Sequence, residues 1–120
     1  MKKNPERGEI WIVLLEPITG HEIGKTRPAL VISNNRNNEF SSTITLIPIT
    51  SSIGKIYPFE VFVKGFETGL KIDSKMKCNQ VRTVDKLRLL KSIGKVSPEK
   101  LSEVEEALLI HLDMQHFIDI

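Results

Sequence analysis

The hydrophobic and polar positions along the chain predict a mainly β protein that ends in a single helix. Short apolar stretches, some alternating with polar residues, are separated by loops rich in glycine, proline, asparagine and hydroxyl side chains. The predicted strands cover residues 8–16, 27–33, 43–49, 59–63, 75–81 and 92–96. The asparagine-rich segment 34–38 predicts a turn, because short amide side chains tolerate left-handed backbone, and 84–90 has room for a helical turn.

The end of the chain predicts a helix over residues 97–112. Ser97 offers an N-cap hydroxyl, and Pro98 takes the first helical position, where a missing N–H is not needed. Helical spacing places four apolar residues on one face: Leu101, Val104, Leu108 and Leu112. These elements predict a small, bent antiparallel sheet, or SH3-like partly open barrel, with the helix packed on it.

Length and composition favour one domain over residues 1–120 that works in a reducing compartment. The chain has 40% hydrophobic and 27% charged residues, which is ordinary for a globular protein, and residues 1–6 are expected to be a flexible N-terminal segment. Its longest apolar run, from Ile10 to Leu15, has only strand length, so neither a signal peptide nor a membrane span is expected. The single cysteine, Cys78, excludes an internal disulfide and is expected to be a small buried hydrophobe. We therefore expect a cytoplasmic protein.

The charge distribution is polarised although the net charge is only +2. Residues 71–95 contain eight Lys or Arg against two Asp, and residues 96–120 contain one Lys against six acids. Two interpretations fit this pattern. The charges either cover solvated strand and helix faces, or they form a surface that attracts a phosphate backbone.

The sequence lacks the common motifs of metal and cofactor sites. The histidines His21, His111 and His116 are scattered, and no Cys/His cluster has metal-ligand spacing. A phosphate-binding glycine loop, a nucleophile elbow and a His-Glu-x-x-His motif are also missing. We therefore expect no metal and no cofactor, and any catalysis should use hydroxyls, arginines, carboxylates or His21.

Two junctions between a loop and a strand carry the best candidates for chemistry. Arg27 enters an apolar strand directly from a polar loop, and Thr50 begins a run of three hydroxyl residues at the end of another strand. Each could be purely structural, as a strand-edge charge or a capped turn. If the two strands are antiparallel neighbours, however, Arg27 and Thr50 meet at one edge of the sheet beneath the loop that carries His21 and Glu22. A guanidinium beside a hydroxyl suits a phosphodiester, because its fork matches phosphate oxygens.

Four segments, in this order and spacing, resemble the MazF/PemK toxin endoribonucleases, the mRNA interferases of type II toxin–antitoxin systems. They are RGEIW at 7–11, GHEIGKTRPALVISN at 20–34, PIT at 48–50, and NQVRTVDK at 79–86 followed by IGK at 93–95. The similarity extends from about residue 7 to residue 114.

The resemblance implies sequence-specific cleavage of single-stranded RNA without a metal. In that family the ribose 2′-hydroxyl attacks the adjacent phosphate and leaves a cyclic phosphate and a free 5′-hydroxyl. Arg27 matches the family's catalytic arginine and Thr50 its catalytic threonine. Glu22 is our candidate for orienting Arg27 or accepting the 2′ proton, and His21 is the second candidate for the base.

The resemblance also implies a homodimer with an RNA groove across the subunit junction, and an antitoxin whose acidic, initially disordered segment competes for that groove. The residues expected to contact RNA have amide, hydroxyl or cationic side chains: His21, Lys25, Asn34, Ser51, Gln80 and Arg82.

Two alternative functions fit the same fold. A non-catalytic poison of DNA gyrase, resembling CcdB, depends on a tryptophan near the C-terminus, whereas the only tryptophan here is Trp11. A catalytically silent interaction module would need neither Arg27 nor Thr50, and the chain has both.

Overall fold

The architecture comes from a computed structural model that describes residues 4–117. Its seven strands are β1 (Glu9–Leu14), β2 (Thr26–Val31), β3 (Thr43–Thr50), β4 (Glu60–Val63), β5 (Ser74–Lys77), β6 (Arg82–Asp85) and β7 (Leu89–Lys95). Its two α-helices are α1 (Asn35–Phe40) and α2 (Pro98–His111). One-turn 3-10 helices cover Gly65–Glu67, Cys78–Gln80, Lys86–Arg88 and Gln115–Phe117.

All strand pairs are antiparallel and form one bent, open sheet in the order β4-β5-β3-β2-β1-β7, with β6 also paired to β3. The long strand β3 carries two partners on one edge: its first half pairs with β6 and its last two residues, Ile49 and Thr50, pair with β5. This confirms the predicted fold class, a mainly β protein with a bent antiparallel sheet and a C-terminal helix.

Apolar side chains fill both faces of β1, β2 and β3. One face packs against α2 through residues such as Leu30, Ile47 and Val104, and the other forms a second cluster around Val13 and Leu46. Because strands that are covered on both sides have no polar face, their sequences are nearly continuous apolar runs.

Helix α2 lies within the predicted range, with the Ser97 side chain accepting a hydrogen bond from the Lys100 N–H. Its most buried residues are Val104 and Ala107, whereas Leu112, which we expected on the buried face, caps the helix and is 49% exposed.

Two predictions of local structure are wrong. The turn expected at 34–38 is helix α1, because the Asn34 side chain accepts from the Asn37 N–H and caps it, while Asn38 is buried and bonded to Ser33. The strand expected at 75–81 breaks at a 3-10 turn that buries Cys78 below α2. The helical turn that 84–90 has room for is present as the 3-10 turn Lys86–Arg88, between the end of β6 and the start of β7.

The structure describes the chain from residue 4 onward, so residues 1–3 of the segment predicted to be flexible lie outside the described residues. Within the described part, Pro5 is buried and the Glu6 N–H donates to the Glu9 carboxylate. No helix within residues 4–117 is both long and apolar enough to cross a membrane.

Cys78 is buried, as its sequence context predicts. Burial, with a smaller contribution from the charge of Glu60, raises the pKa of the Cys78 thiol to about 12. The thiolate is the nucleophilic form, so this cysteine is chemically quiet at neutral pH.

Candidate functional site

Arg27 lies near the start of β2, opposite Val13 of β1, and is half-buried. Its Nε donates a hydrogen bond to the Gly24 carbonyl at 2.6 Å. That bond fixes the guanidinium to the loop before β2 and leaves the two terminal amino groups to bind an anion. Among the described residues, no carboxylate forms an ion pair with Arg27.

Thr50 ends β3 next to Arg27. The β2–β3 ladder pairs Ala29 with Pro48 and Leu30 with Ile47, and the same register continued by two residues sets Arg27 opposite Thr50. Neighbouring strands are about 4.8 Å apart, so both side chains can reach one phosphate. The Thr50 Oγ1 accepts from the Ser52 N–H at 3.1 Å, and its own O–H is available to donate.

The loop between β1 and β2 covers Arg27 and is clamped at its base. The Leu15 N–H donates to the Lys25 carbonyl at 3.0 Å, and the Lys25 N–H donates to the Glu16 carboxylate at 2.8 Å. Within this loop, residues 15–25, the Glu22 carboxylate accepts from the Thr19 N–H, and the side chains of His21 and Glu22 are exposed.

A cleft of about 380 Å³ separates this loop from the turn after β5. Its polar lining includes His21, Glu22, Lys25, Arg27, Lys77 and Gln80. The Gln80 Oε1 accepts from the Ile23 N–H at 3.3 Å, which ties the turn to the loop and leaves the amide NH₂ as a donor.

The remaining candidates lie around or away from this cleft. Arg82 Nη1 donates to the Leu15 carbonyl at 3.1 Å and supports the base of the loop. Ser51 lines a second cavity of about 530 Å³, which Lys25 and Arg27 also line. Asn34 follows the opposite end of β2, roughly 20 Å from Arg27 by strand length, where it caps α1. The structure therefore gathers most of the candidates but separates Asn34 from them.

Sequence reasoning missed two charged residues beside the cleft, Lys77 and Glu60. Lys75 and Lys77 alternate with the buried Met76 and Cys78, and this period of two was the signal that both lysines share one face. The partner Glu60 gave no such signal, because its contact with β5 depends on strand pairing.

Glu60 is a buried carboxylate with three hydrogen-bonding or charged neighbours. Its oxygens lie 3.0 Å from Lys75 Nζ and 3.5 Å from Lys77 Nζ, and it accepts from the Tyr57 N–H at 3.0 Å. Burial alone would raise the pKa of Glu60, but the Tyr57 N–H and the two ammonium groups together hold it below its ordinary value.

This lowered pKa predicts an acid-dependent loss of stability. A carboxyl whose pKa is depressed by folding stabilises the native state above its ordinary value of 4.5, and this stabilisation is lost as the pH falls through the lower native value. We expect the melting temperature of the wild type to exceed that of Glu60→Gln at neutral pH, and the difference to shrink steadily below pH 4.5. Thermal unfolding of both proteins across the acid range measures it, and a pH-independent difference would contradict the prediction.

Sequence and structure comparisons place the chain among known proteins. Residues 6–112 match the family described as PemK-like, MazF-like toxin of type II toxin–antitoxin system. The endoribonuclease MazF9 of Mycobacterium tuberculosis is 44% identical over 113 residues, which cover 90% of this chain and 96% of that protein.

Solved structures agree with the sequence match. MazF from Deinococcus radiodurans superposes with a TM-score of 0.83 at 28% identity, covering 94% of this chain and 100% of that one. A MazE–MazF structure from the same organism gives a TM-score of 0.76 at 29% identity, covering 94% and 99%. These matches confirm the resemblance that the sequence motifs indicated. The chain belongs to the PemK-like, MazF-like toxins of type II toxin–antitoxin systems, and like its relative it is an endoribonuclease.

Proposed function

We propose that the cleft around Arg27 cleaves single-stranded RNA at short specific sequences, by attack of the 2′-hydroxyl and without a metal ion. The observation that carries this proposal is the β2–β3 register, whose continuation by two residues beyond Ala29 and Pro48 sets Arg27 opposite Thr50 beneath the clamped loop. Among the described residues no group of three or more His, Cys, Asp or Glu is arranged to hold a metal, and the chemistry proposed here requires none.

Arg27 stabilises the charge that develops on the phosphoryl oxygens. Its Nε is occupied by the Gly24 carbonyl, so the terminal amino groups bind the phosphate. Because a guanidinium stays protonated in proteins, we give Arg27 no role in proton transfer. The Thr50 O–H donates to the same phosphate and fixes its position.

The reaction needs a base and an acid besides this anion site. The 2′-oxygen forms a bond to phosphorus as its proton passes to the base, and the bond from phosphorus to the 5′-oxygen breaks as that oxygen takes a proton from solvent water. Glu22 is the proposed base, since one carboxylate oxygen accepts from Thr19 and the other remains for the 2′-hydroxyl. His21, exposed beside it in the cleft, is the second candidate because imidazole is the side chain most often used for general acid–base catalysis.

The RNA strand is proposed to run along the cleft in an unstacked form, because single-stranded RNA is read through splayed bases. Gln80 offers its amide NH₂ to a base edge, and Lys25 and His21 contribute from the loop. Ser51 and Arg82 border this path. Asn34 lies away from the cleft and needs a longer RNA or a second subunit to contribute.

The proposed partners are an antitoxin and a second copy of the chain, in the cytoplasm. The family description places the protein in a toxin–antitoxin pair, which supports the antitoxin. Strand β7 ends one side of the open sheet, and the exposed Leu14, Leu87 and Leu90 lie along that side, which supports a homodimer through this edge.

The gyrase poison and the silent module remain the alternatives that an experiment must exclude. Trp11, the only tryptophan, is 6% exposed and packed in the core, so it is not presented to a partner. The test is incubation of antitoxin-free protein with a long single-stranded RNA in excess EDTA. We expect discrete fragments that end in a cyclic phosphate, and intact RNA at high enzyme concentration would contradict the proposal.

A further inference from the structure

We propose that Lys77 binds an RNA phosphate next to the one held by Arg27, and that the buried Glu60 is the positioning residue that holds the Lys77 ammonium at the cleft. This inference rests on the proposed function, because it concerns the same cleft and the same substrate.

Strand pairing places the residues involved on one face of the sheet. Thr50 pairs with Lys75, and Lys77 pairs with Glu60 in the β4–β5 ladder. On the opposite face, the paired Met76 and Val61 lie in the core below α2. Because side chains alternate along a strand, Thr50, Lys75, Lys77 and Glu60 all project to the face where the cleft lies.

The charges on this face leave one cation in surplus. Glu60 is one carboxylate between two ammonium groups, and its side chain is only 2% exposed. Lys75, 8% exposed, lies 3.0 Å from Glu60 and also donates to the Lys55 carbonyl. Lys77 lies farther away, at 3.5 Å, is 26% exposed and lines the cleft. An ammonium has three donors, so Lys77 can keep Glu60 and bind an anion as well.

The acids of the cleft do not cancel this charge. The cleft is lined by three cations, Lys25, Arg27 and Lys77, against two carboxylates, Glu16 and Glu22, each of which also accepts a backbone N–H of the loop. Arg27 and Lys77 approach the cleft from strands on either side of β3 and two residues apart along it, which places their backbones about 12 Å apart. That separation suits two neighbouring phosphates better than one.

Glu60 also fixes the segment that follows Thr50. It accepts from the Tyr57 N–H, and its partner Lys75 donates to the Lys55 carbonyl, so both bonds hold residues 51–58 against β4 and β5. A single buried carboxylate thus sets the position of Lys77 and of the loop that begins at the proposed catalytic threonine.

The first test measures the salt dependence of binding. The probe is a fluorescein-labelled 2′-O-methyl single strand of random sequence, which lacks the attacking hydroxyl, titrated by anisotropy in EDTA. For Lys77→Gln we expect a Kd about tenfold higher and a slope of log Kd against log salt that is lower by about 0.7, the value for one lost contact to a single-strand phosphate. Lys77→Arg should restore both. Lys64→Gln is the matched control, because it removes the same charge from an exposed lysine outside the cleft and should leave the slope unchanged.

The second test separates positioning from stability. Glu60→Gln alone leaves the charge of Lys75 buried without its carboxylate partner. The double variant Glu60→Gln/Lys75→Met removes both buried charges and is therefore the background to use. In that background Lys77 no longer has the Glu60 carboxylate that positions its ammonium group. We therefore expect Lys77→Gln to raise Kd less than threefold instead of about tenfold. An equal effect of Lys77→Gln in both backgrounds would overturn the positioning role of Glu60.

Cleavage of natural RNA by the wild type distinguishes this inference from the proposed function. If the wild type cleaves RNA but the salt slope of Lys77→Gln equals that of the wild type, the assignment of Lys77 is overturned and the proposed function is not. If the salt slope is lowered in Lys77→Gln but the wild type does not cleave RNA, the result supports Lys77 as a phosphate ligand and contradicts the ribonuclease mechanism. Where the wild type cleaves, Lys77→Gln should raise KM about tenfold and leave kcat within about twofold, because it removes binding rather than chemistry.

Discussion

Replacing Arg27 with alanine is expected to lower kcat/KM for RNA cleavage by about a hundred- to a thousandfold. The guanidinium lies opposite Thr50 when the β2–β3 register is continued by two residues, and it is held in place through the Gly24 carbonyl, whereas Lys75, which pairs with Thr50 from the other side, is engaged by Glu60. Losing one preoriented donor to a developing oxyanion costs this much in other enzymes, and most of the loss should appear in kcat. Single-turnover cleavage of a mapped substrate in EDTA gives the measurement.

Arg88→Ala is the matched control for this variant. Arg88 also supports the base of the loop, donating to the carbonyls of Leu14 and Glu16, but it is not among the residues that line the cleft. Its loss should change cleavage less than tenfold. If Arg27→Ala retained activity within tenfold of the wild type, the phosphate site would have to lie elsewhere.

Replacing Gly94 with alanine is expected to destabilise the protein by at least about 3 kcal/mol, at the upper end of what overpacking costs. Gly94 in β7 and Gly69 in the loop after β4 bring two backbones into direct contact. A Cβ on Gly94 would overlap the Thr68 carbonyl, with its carbon 2.7 Å away, and Gly69 has a φ of +84°. Since backbone atoms cannot move aside as a flexible side chain does, the strand itself would have to shift.

Urea unfolding of Gly94→Ala, followed by tryptophan fluorescence, measures this loss. Gly54→Ala is the control, because Gly54 has a φ of +52° but no atom within 4 Å of an added Cβ. It should lose only about 1 kcal/mol, the cost of left-handed backbone. Equal stability of the two variants would show that the approach of the two backbones is not tight in solution.

Local patterns predicted most of the elements, because alternation and capping are properties of neighbouring residues. They placed helix α2 by Ser97 and Pro98 and found every strand except β6, which begins after the predicted strand 75–81 and ends inside the segment 84–90 that was given to a helical turn. Helix α1 was missed because the same asparagine side chains that favour a turn also cap a helix.

The part of the candidate site that depends on a single antiparallel strand pair was predictable from the sequence. Arg27 and Thr50 follow from β2 and β3 being neighbours, which their short connection suggested. The positions of Lys77 and Glu60 depend instead on the pairing of β5 with β4 and with the end of β3. The break in the predicted strand at Cys78 is set by the packing of that residue below α2. Asn34 was assigned to RNA contact by residue type alone. Its position at the far end of β2 shows that residue type does not give the distance from Arg27.

The clamp at the base of the β1–β2 loop has a consequence for how this protein can evolve. The Leu15–Lys25 and Glu16–Lys25 bonds close the loop independently of the residues between them, so the hairpin keeps its geometry when those residues change. Doubling the length of a closed loop costs only about 0.6 kcal/mol of chain entropy. The covering segment can thus lengthen between its fixed ends, and new target preferences can arise by insertion there without refolding the sheet that carries Arg27, as long as the proposed base and the Gly24 carbonyl that holds Arg27 are kept.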